Sequence, residues 1–214
     1  MSTIVSSPPV IGEERFVLRN VSWETYEHLL ADHANSSAPR FTYAEGILEI
    51  MSPLNEHERL KEFMADLVRV VAEERQVEFA NFGSSTFRRP DLRRGIEPDS
   101  CFYVQNVELI RGKKEIDLTV DPPPDLVIEV EVTNPVLPKL PIYARLGVPE
   151  VWLYEVGEAK ILRLRADKYE ETEQSEVLPS LSRSRLSGFL KERETLTTLE
   201  WLRKVRTWAR EQIR

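Results

Sequence analysis

Residues 124–139, PDLVIEVEVTNPVLPK, place two carboxylates, Glu129 and Glu131, inside what otherwise reads as a buried strand. Successive strand side chains point to opposite faces. Leu126, Ile128, Val130 and Val132 therefore share one face, while Val127, Glu129, Glu131 and Thr133 share the other. The second face carries a cost. A buried carboxylate has to be paired, protonated or metal-bound, and two on neighbouring same-face positions repel unless a cation sits between them. A metal site is the first chemistry this strand implies.

Outward from that strand, the segments VEFANFG, SSTFRR, PDSCFYV and VWLYEV also read as strands, and KILRLRADKYEET as a strand or hairpin. The prolines Pro122 to Pro124 end the preceding loop and stiffen the approach to the acidic strand. Ser22 caps a short helix with Trp23, Tyr26 and Leu30 at helical spacing, and a hairpin spans Tyr43 to Met51 around Glu45-Gly46. A longer helix is expected from about Glu56 to Glu74, with Asn55 as N-cap and Glu58 completing a capping-box-like pattern. Residues 1–14 read as a flexible tail, 15–195 as one domain, and 196–214 as a C-terminal helix. Its stripe of Leu196, Leu199, Leu202, Val205, Trp208 and Ile213 must be covered, by the same domain or by a second copy in a homodimer. Strands interleaved with helices predict an α/β fold with a central mixed sheet flanked by helices.

With 214 residues, of which 41% are hydrophobic, the chain can build one well-cored domain. A formal charge of -7 argues against coating nucleic acid by bulk electrostatics, although local basic clusters are compatible with it. The lone Cys101 forms no intrachain disulfide and no thiolate zinc cluster, which fits a reducing cytoplasm. The sequence has neither a long apolar run nor a basic-then-apolar leader, so a soluble, cytoplasmic protein without a membrane span is expected.

Three further residues bear on the acidic strand. Asp99 follows Pro98 where a strand begins, a place where an aspartate ordinarily serves a turn. Glu56 opens the long helix, in phase with Leu60, Phe63, Leu67 and Val71, and is expected to point inward or to the core's rim. An acid there also suits the helix dipole alone, and the neighbouring His57, over Leu60 and Met64, ordinarily would be structural. Lys139 precedes LPIYARLG, a short helix with a proline in its first turn. A cation there can neutralise the strand carboxylates or a reacting phosphate.

The ordered set GILEIMSPLNEHERL, GIEPDSCFYV, PPDLVIEVEVTNP and KLPIYARLGVPEVWLYE, spread over roughly residues 20 to 165, resembles the Uma-type restriction endonuclease family of the PD-(D/E)XK nuclease superfamily. The resemblance implies a restriction-endonuclease-like core. It also implies that Asp99 and Glu129 bind a divalent metal, with Glu56 as the helix acid that many members add to the metal shell. The motif's usual lysine is replaced by Glu131, and Lys139 would be the migrated lysine.

The residues suit this chemistry on their own account. Phosphodiester hydrolysis requires a neutralised phosphate, a hydroxide near neutral pH and a stabilised leaving alkoxide. Hard carboxylate oxygens select Mg²⁺ or Mn²⁺. Glu131 suits an extra ligand or a base. DNA is the expected substrate, held in a groove lined by Arg88, Arg89, Arg93 and Arg94 before Asp99, and by Arg111, Lys113 and Lys114 after its strand. Two other readings stand beside this one: a nuclease fold without catalysis that binds nucleic acid or a protein partner, and a hydrolase of small phosphate esters.

Overall fold

The computed structural model describes residues 14–34, 36, 38–131 and 137–212. Val132 and Thr133 of the acidic strand, Ile213 of the terminal stripe and all of the expected tail except Glu14 lie outside those residues. In chain order the elements are β1 (Glu14–Arg19), α1 (Trp23–Asp32), β2 (Arg40–Ala44), β3 (Ile47–Ser52), α2 (Asn55–Glu74), β4 (Ala80–Asn81), β5 (Phe87–Arg89), β6 (Arg94–Ile96) and β7 (Ser100–Tyr103). There follow α3 (Val107–Ile110), β8 (Leu126–Glu131), α4 (Leu140–Leu146), β9 (Glu150–Glu155), β10 (Glu158–Arg165), β11 (Lys168–Thr172), α5 (Arg183–Glu192) and α6 (Thr198–Glu211).

Among the described residues the strands form two sheets, ordered β1-β3-β2-β6-β5 and β11-β10-β9-β8-β7-β4. The second is mixed. β8 and β9 run parallel, joined by a crossover that carries α4, and its other pairs are antiparallel. The alternation of the acidic strand decides what lies on each side. Leu126, Ile128 and Val130 join Phe102 and Trp152 against Leu60, Met64 and Val71 of α2, Phe189 of α5 and Trp201 of α6. Val127, Cys101, Val151 and Leu153 face Ile142, Tyr143 and Leu146 of α4 and Phe87 and Ile96 of the first sheet. The carboxylate-bearing face of β8 is therefore enclosed between its own sheet, α4 and the first sheet.

The capped helices follow local chemistry, with α2 the exception. Ser22 Oγ accepts from Thr25 N, and α4 has Pro141 in its first turn and ends on Gly147, whose φ of +82° suits glycine. α2, however, begins one residue early. Leu54 is its extended N-cap, so Asn55 is already helical and makes no side-chain cap. Glu58, expected to reach back, binds Arg40 and Lys61 instead. α6 holds the full capping box, Thr197 with Glu200. Its buried face is centred on Trp201, Val205 and Ala209, which leaves Leu199, on the opposite side, exposed. That face packs on α2 and α5, so the stripe is used within the chain. VEFANFG supplies only the two residues of β4, because this edge strand pairs with β7 and then turns away at Gly83. The sequence reading omitted β1, which pairs with β3, and α5, which Ser182 caps. Among the described residues no helix is long and apolar enough to cross a membrane.

Candidate active site

Asp99 stands just before β7, beside β8, and its position is fixed by the backbone of the acidic strand: Val130 N donates to Asp99 Oδ2 at 2.6 Å. His57 Nε2, from the first turn of α2, lies 2.7 Å from the same oxygen. Arg40 Nη1, from β2, donates to Oδ1, while Nη2 of the same guanidinium donates to Glu58 Oε1 at 2.6 Å. Three elements, β8, α2 and β2, thus converge on one carboxylate.

Glu129, on β8, is held from the opposite side. Lys139 Nζ donates to its Oε2 at 2.5 Å, and the Tyr143 hydroxyl donates to Oε1. Lys139 is the N-cap residue of α4, so Tyr143 lies one helical turn further on and the short helix presents both donors together. Asp99 and Glu129 are each 1% exposed and Lys139 4%. The segment before Lys139 is pinned by Glu49 of β3, which accepts from Leu137 N at 3.1 Å and pairs with Arg15 of β1 at 2.8 Å.

Burial alone would raise both acids and neutralise them. At Asp99 burial is outweighed by Lys139, His57 and Arg40, which hold its carboxyl well below the usual range. At Glu129 burial prevails, with Asp99 adding to it against Lys139 and Tyr143, so it is the weaker acid of the pair. Burial would strip Lys139 of its proton, but Glu129 and Asp99 more than restore it. The centre therefore keeps an ionised aspartate and a protonated lysine in a nearly dry setting.

Glu131 is half-buried, in register with Glu155 of β9. Burial, then the charges of Glu129 and Glu155, push it up to about 7 against Lys139 and Arg15. Glu56 does not join the centre. It is exposed, because the buried stripe of α2 is centred on His57, Leu60, Met64 and Val68. His57, at the next position, makes the contact expected of Glu56.

The seven basic residues do not share one groove. Arg88 lies 3.9 Å from Glu27, Arg89 2.7 Å from Asp91 and Arg94 2.8 Å from Glu45, while Arg111 pairs with Glu108 and Lys113 with Asp121. Arg93 is exposed beside Tyr43, and Lys114 is exposed. Arg88 from β5 and Lys114 from the segment after α3 thus meet at one hollow, while Arg111 and Lys113 line a different one, beside Phe79 and Val107.

His57 and Tyr143 carry signals that the sequence offers: His57 is in phase with Leu60 and Met64, and Tyr143 is four residues beyond Lys139. Arg40 has none, since it arrives from a separate strand. Two hard carboxylates on neighbouring strands match the habit of Mg²⁺, which takes one or two carboxylates and completes its shell with water and substrate phosphate. Among the described residues no group of three or more acidic, histidine or cysteine side chains is arranged around a common point. Arg40 and Lys139 hold oxygens that a metal would share.

A family model described as "Uma2: Putative restriction endonuclease" matches residues 23–198. Among solved structures, the chain is similar to one described as a putative nuclease belonging to DUF820 from Anabaena variabilis ATCC 29413. The identity is 16%, the match covers 71% of this chain and 92% of that one, and the TM-score is 0.49. No curated protein matches.

Proposed function

The chain belongs to the Uma2 restriction endonuclease family, and from that premise we propose that it is a divalent-metal-dependent endonuclease that hydrolyses DNA phosphodiester bonds at Asp99, Glu129 and Lys139. The observation that carries the reading is the position of Lys139 Nζ, 2.5 Å from Glu129 Oε2. The strand position where the superfamily motif has its lysine is occupied by Glu131, and α4 supplies the missing cation from the other side.

Asp99 and Glu129 would hold Mg²⁺ or Mn²⁺, which supplies charge neutralisation at the phosphate and a more acidic water. The chain's own residues do the rest. Val130 N and His57 fix the orientation of the Asp99 carboxylate, and Tyr143 fixes that of Glu129. Lys139, kept protonated by two acids, offers positive charge where a pentavalent phosphorus would carry extra negative charge. Water adds to phosphorus, the P–O bond to the leaving group breaks, and the departing alkoxide takes up a proton. Glu131, with its pKa near 7, suits proton exchange with the attacking water.

The test is incubation of supercoiled plasmid with the purified protein and Mg²⁺. Nicking or linearisation that EDTA abolishes and that is absent from Glu129→Gln and Asp99→Asn variants with intact circular dichroism is the expected result. A wild type that binds DNA in Mg²⁺ or Mn²⁺ and never cuts would overturn it in favour of a binding module.

A further inference from the structure

A polar cavity of about 230 Å³ adjoins the carboxylate centre, lined by Arg40, His33, Ser84, Ser85, Thr86 and Glu97 among others. Arg40 is the shared wall: its Nη1 donates to Asp99, while its buried Nε has no hydrogen-bond partner among the described residues. The cavity continues into a second hollow through Leu30, Ala34, Ser85 and Thr86, and that hollow reaches Arg88 and Lys114. We propose that this cavity is a nucleobase subsite, which takes one unpaired base of the strand next to the scissile phosphate and favours bases with an exocyclic amino group, cytosine above thymine. The inference rests on the nuclease reading and specifies its substrate.

The lining argues for a base and against a phosphate. Glu97 presents a carboxylate there, which would repel a phosphate and accept from an amino group. Its two oxygens each accept one bond within the protein, from Phe41 N at 3.0 Å and Thr86 Oγ1 at 2.8 Å, and a carboxylate oxygen has room for a second. The protein bonds fix the carboxylate's direction. The lining is mostly polar: the Phe41 ring is buried, meeting His33 edge-on, and Arg40, His33, Ser85 and Thr86 surround the space beside Glu97. The size suits one base: pockets for drug-sized ligands run to about 300–1,000 Å³. A recessed cavity admits a base only when it is unpaired or turned out of a duplex. The strand's phosphates would lie outside, toward Arg40 on one side and Arg88 and Lys114 on the other.

Fluorescence anisotropy with labelled oligo(dC) and oligo(dT), in Ca²⁺ without Mg²⁺, tests the subsite apart from cleavage. Wild type is expected to bind oligo(dC) about tenfold more tightly than oligo(dT), the discrimination one good base contact supplies. Glu97→Gln, which keeps an oxygen for Phe41 N, should bring the ratio to within about twofold. Ser84→Trp, at an exposed position with no side-chain hydrogen bond among the described residues, should block the cavity and erase the ratio while salt-sensitive binding persists. Equal binding of the two by wild type, or a tenfold ratio that survives both folded variants, would overturn the subsite and leave the nuclease proposal standing. Failure of wild type to bind either oligonucleotide would also overturn the subsite, and plasmid cleavage in Mg²⁺ decides the nuclease reading separately.

Discussion

The fold buries two kinds of carboxylate, and they are held in different ways. Asp125 and Glu150 are met by neutral donors. Val104 N, Asn106 N and Asn106 Nδ2 serve Asp125, and Trp152 Nε1, Ser175 Oγ and Glu176 N serve Glu150. Each ties a loop to a strand end. Asp99 and Glu129, equally buried, are met by Arg40 and Lys139 with His57 and Tyr143, and Asp99 also keeps one backbone donor, Val130 N. A backbone N–H cannot leave its carboxylate without local unfolding. A side-chain cation can swing aside for another cation. The same depth of burial thus goes with neutral donors in one region and with side-chain cations in the other, which is the arrangement the proposed metal exchange requires.

If that contrast is right, variants at the two regions should fail differently. Lys139→Met should lower cleavage by about 10²–10³-fold in single-turnover assays, the loss typical of a group that stabilises developing charge. Asp125→Ala should cost about 2–4 kcal/mol in denaturant melts, because buried backbone donors lose their acceptor, while the cleavage rate of the folded fraction stays near wild type. Glu131→Gln sharpens the boundary between the regions. Glu131 binds its proton more tightly in the folded protein than in the unfolded chain, so its contribution to stability falls as pH rises from the ordinary 4.5 to about 7. Thermal melts of the variant should lose that decline and show higher stability than wild type above pH 7. Smallest of all, Glu56→Gln should change cleavage by less than about twofold, since surface substitutions away from a site are ordinarily mild.

Much of the centre was legible because it depends on local geometry. Alternation along β8 put Glu129 on a usable face, Pro98 put Asp99 at a strand start, and the proline-marked helix start placed Lys139. Glu56 was misread because the buried face at the start of α2 is centred one residue on, at His57. The basic loops carry acidic partners close in sequence: Asp91 is two residues from Arg89, and Glu108 is one helical turn from Arg111. Arg40 could not be read, since its meeting with Asp99 spans 59 residues and depends on how the two sheets pack.

Manganese titration followed by electron paramagnetic resonance, on wild type, Glu129→Gln and Glu150→Gln, separates the two kinds of buried acid most directly. Wild type and Glu150→Gln are expected to bind Mn²⁺ alike, and Glu129→Gln to bind it at least about 100-fold more weakly, beyond what loss of an outer-shell partner costs. Equal Mn²⁺ affinity in wild type and Glu129→Gln, or no binding by wild type, would contradict the account.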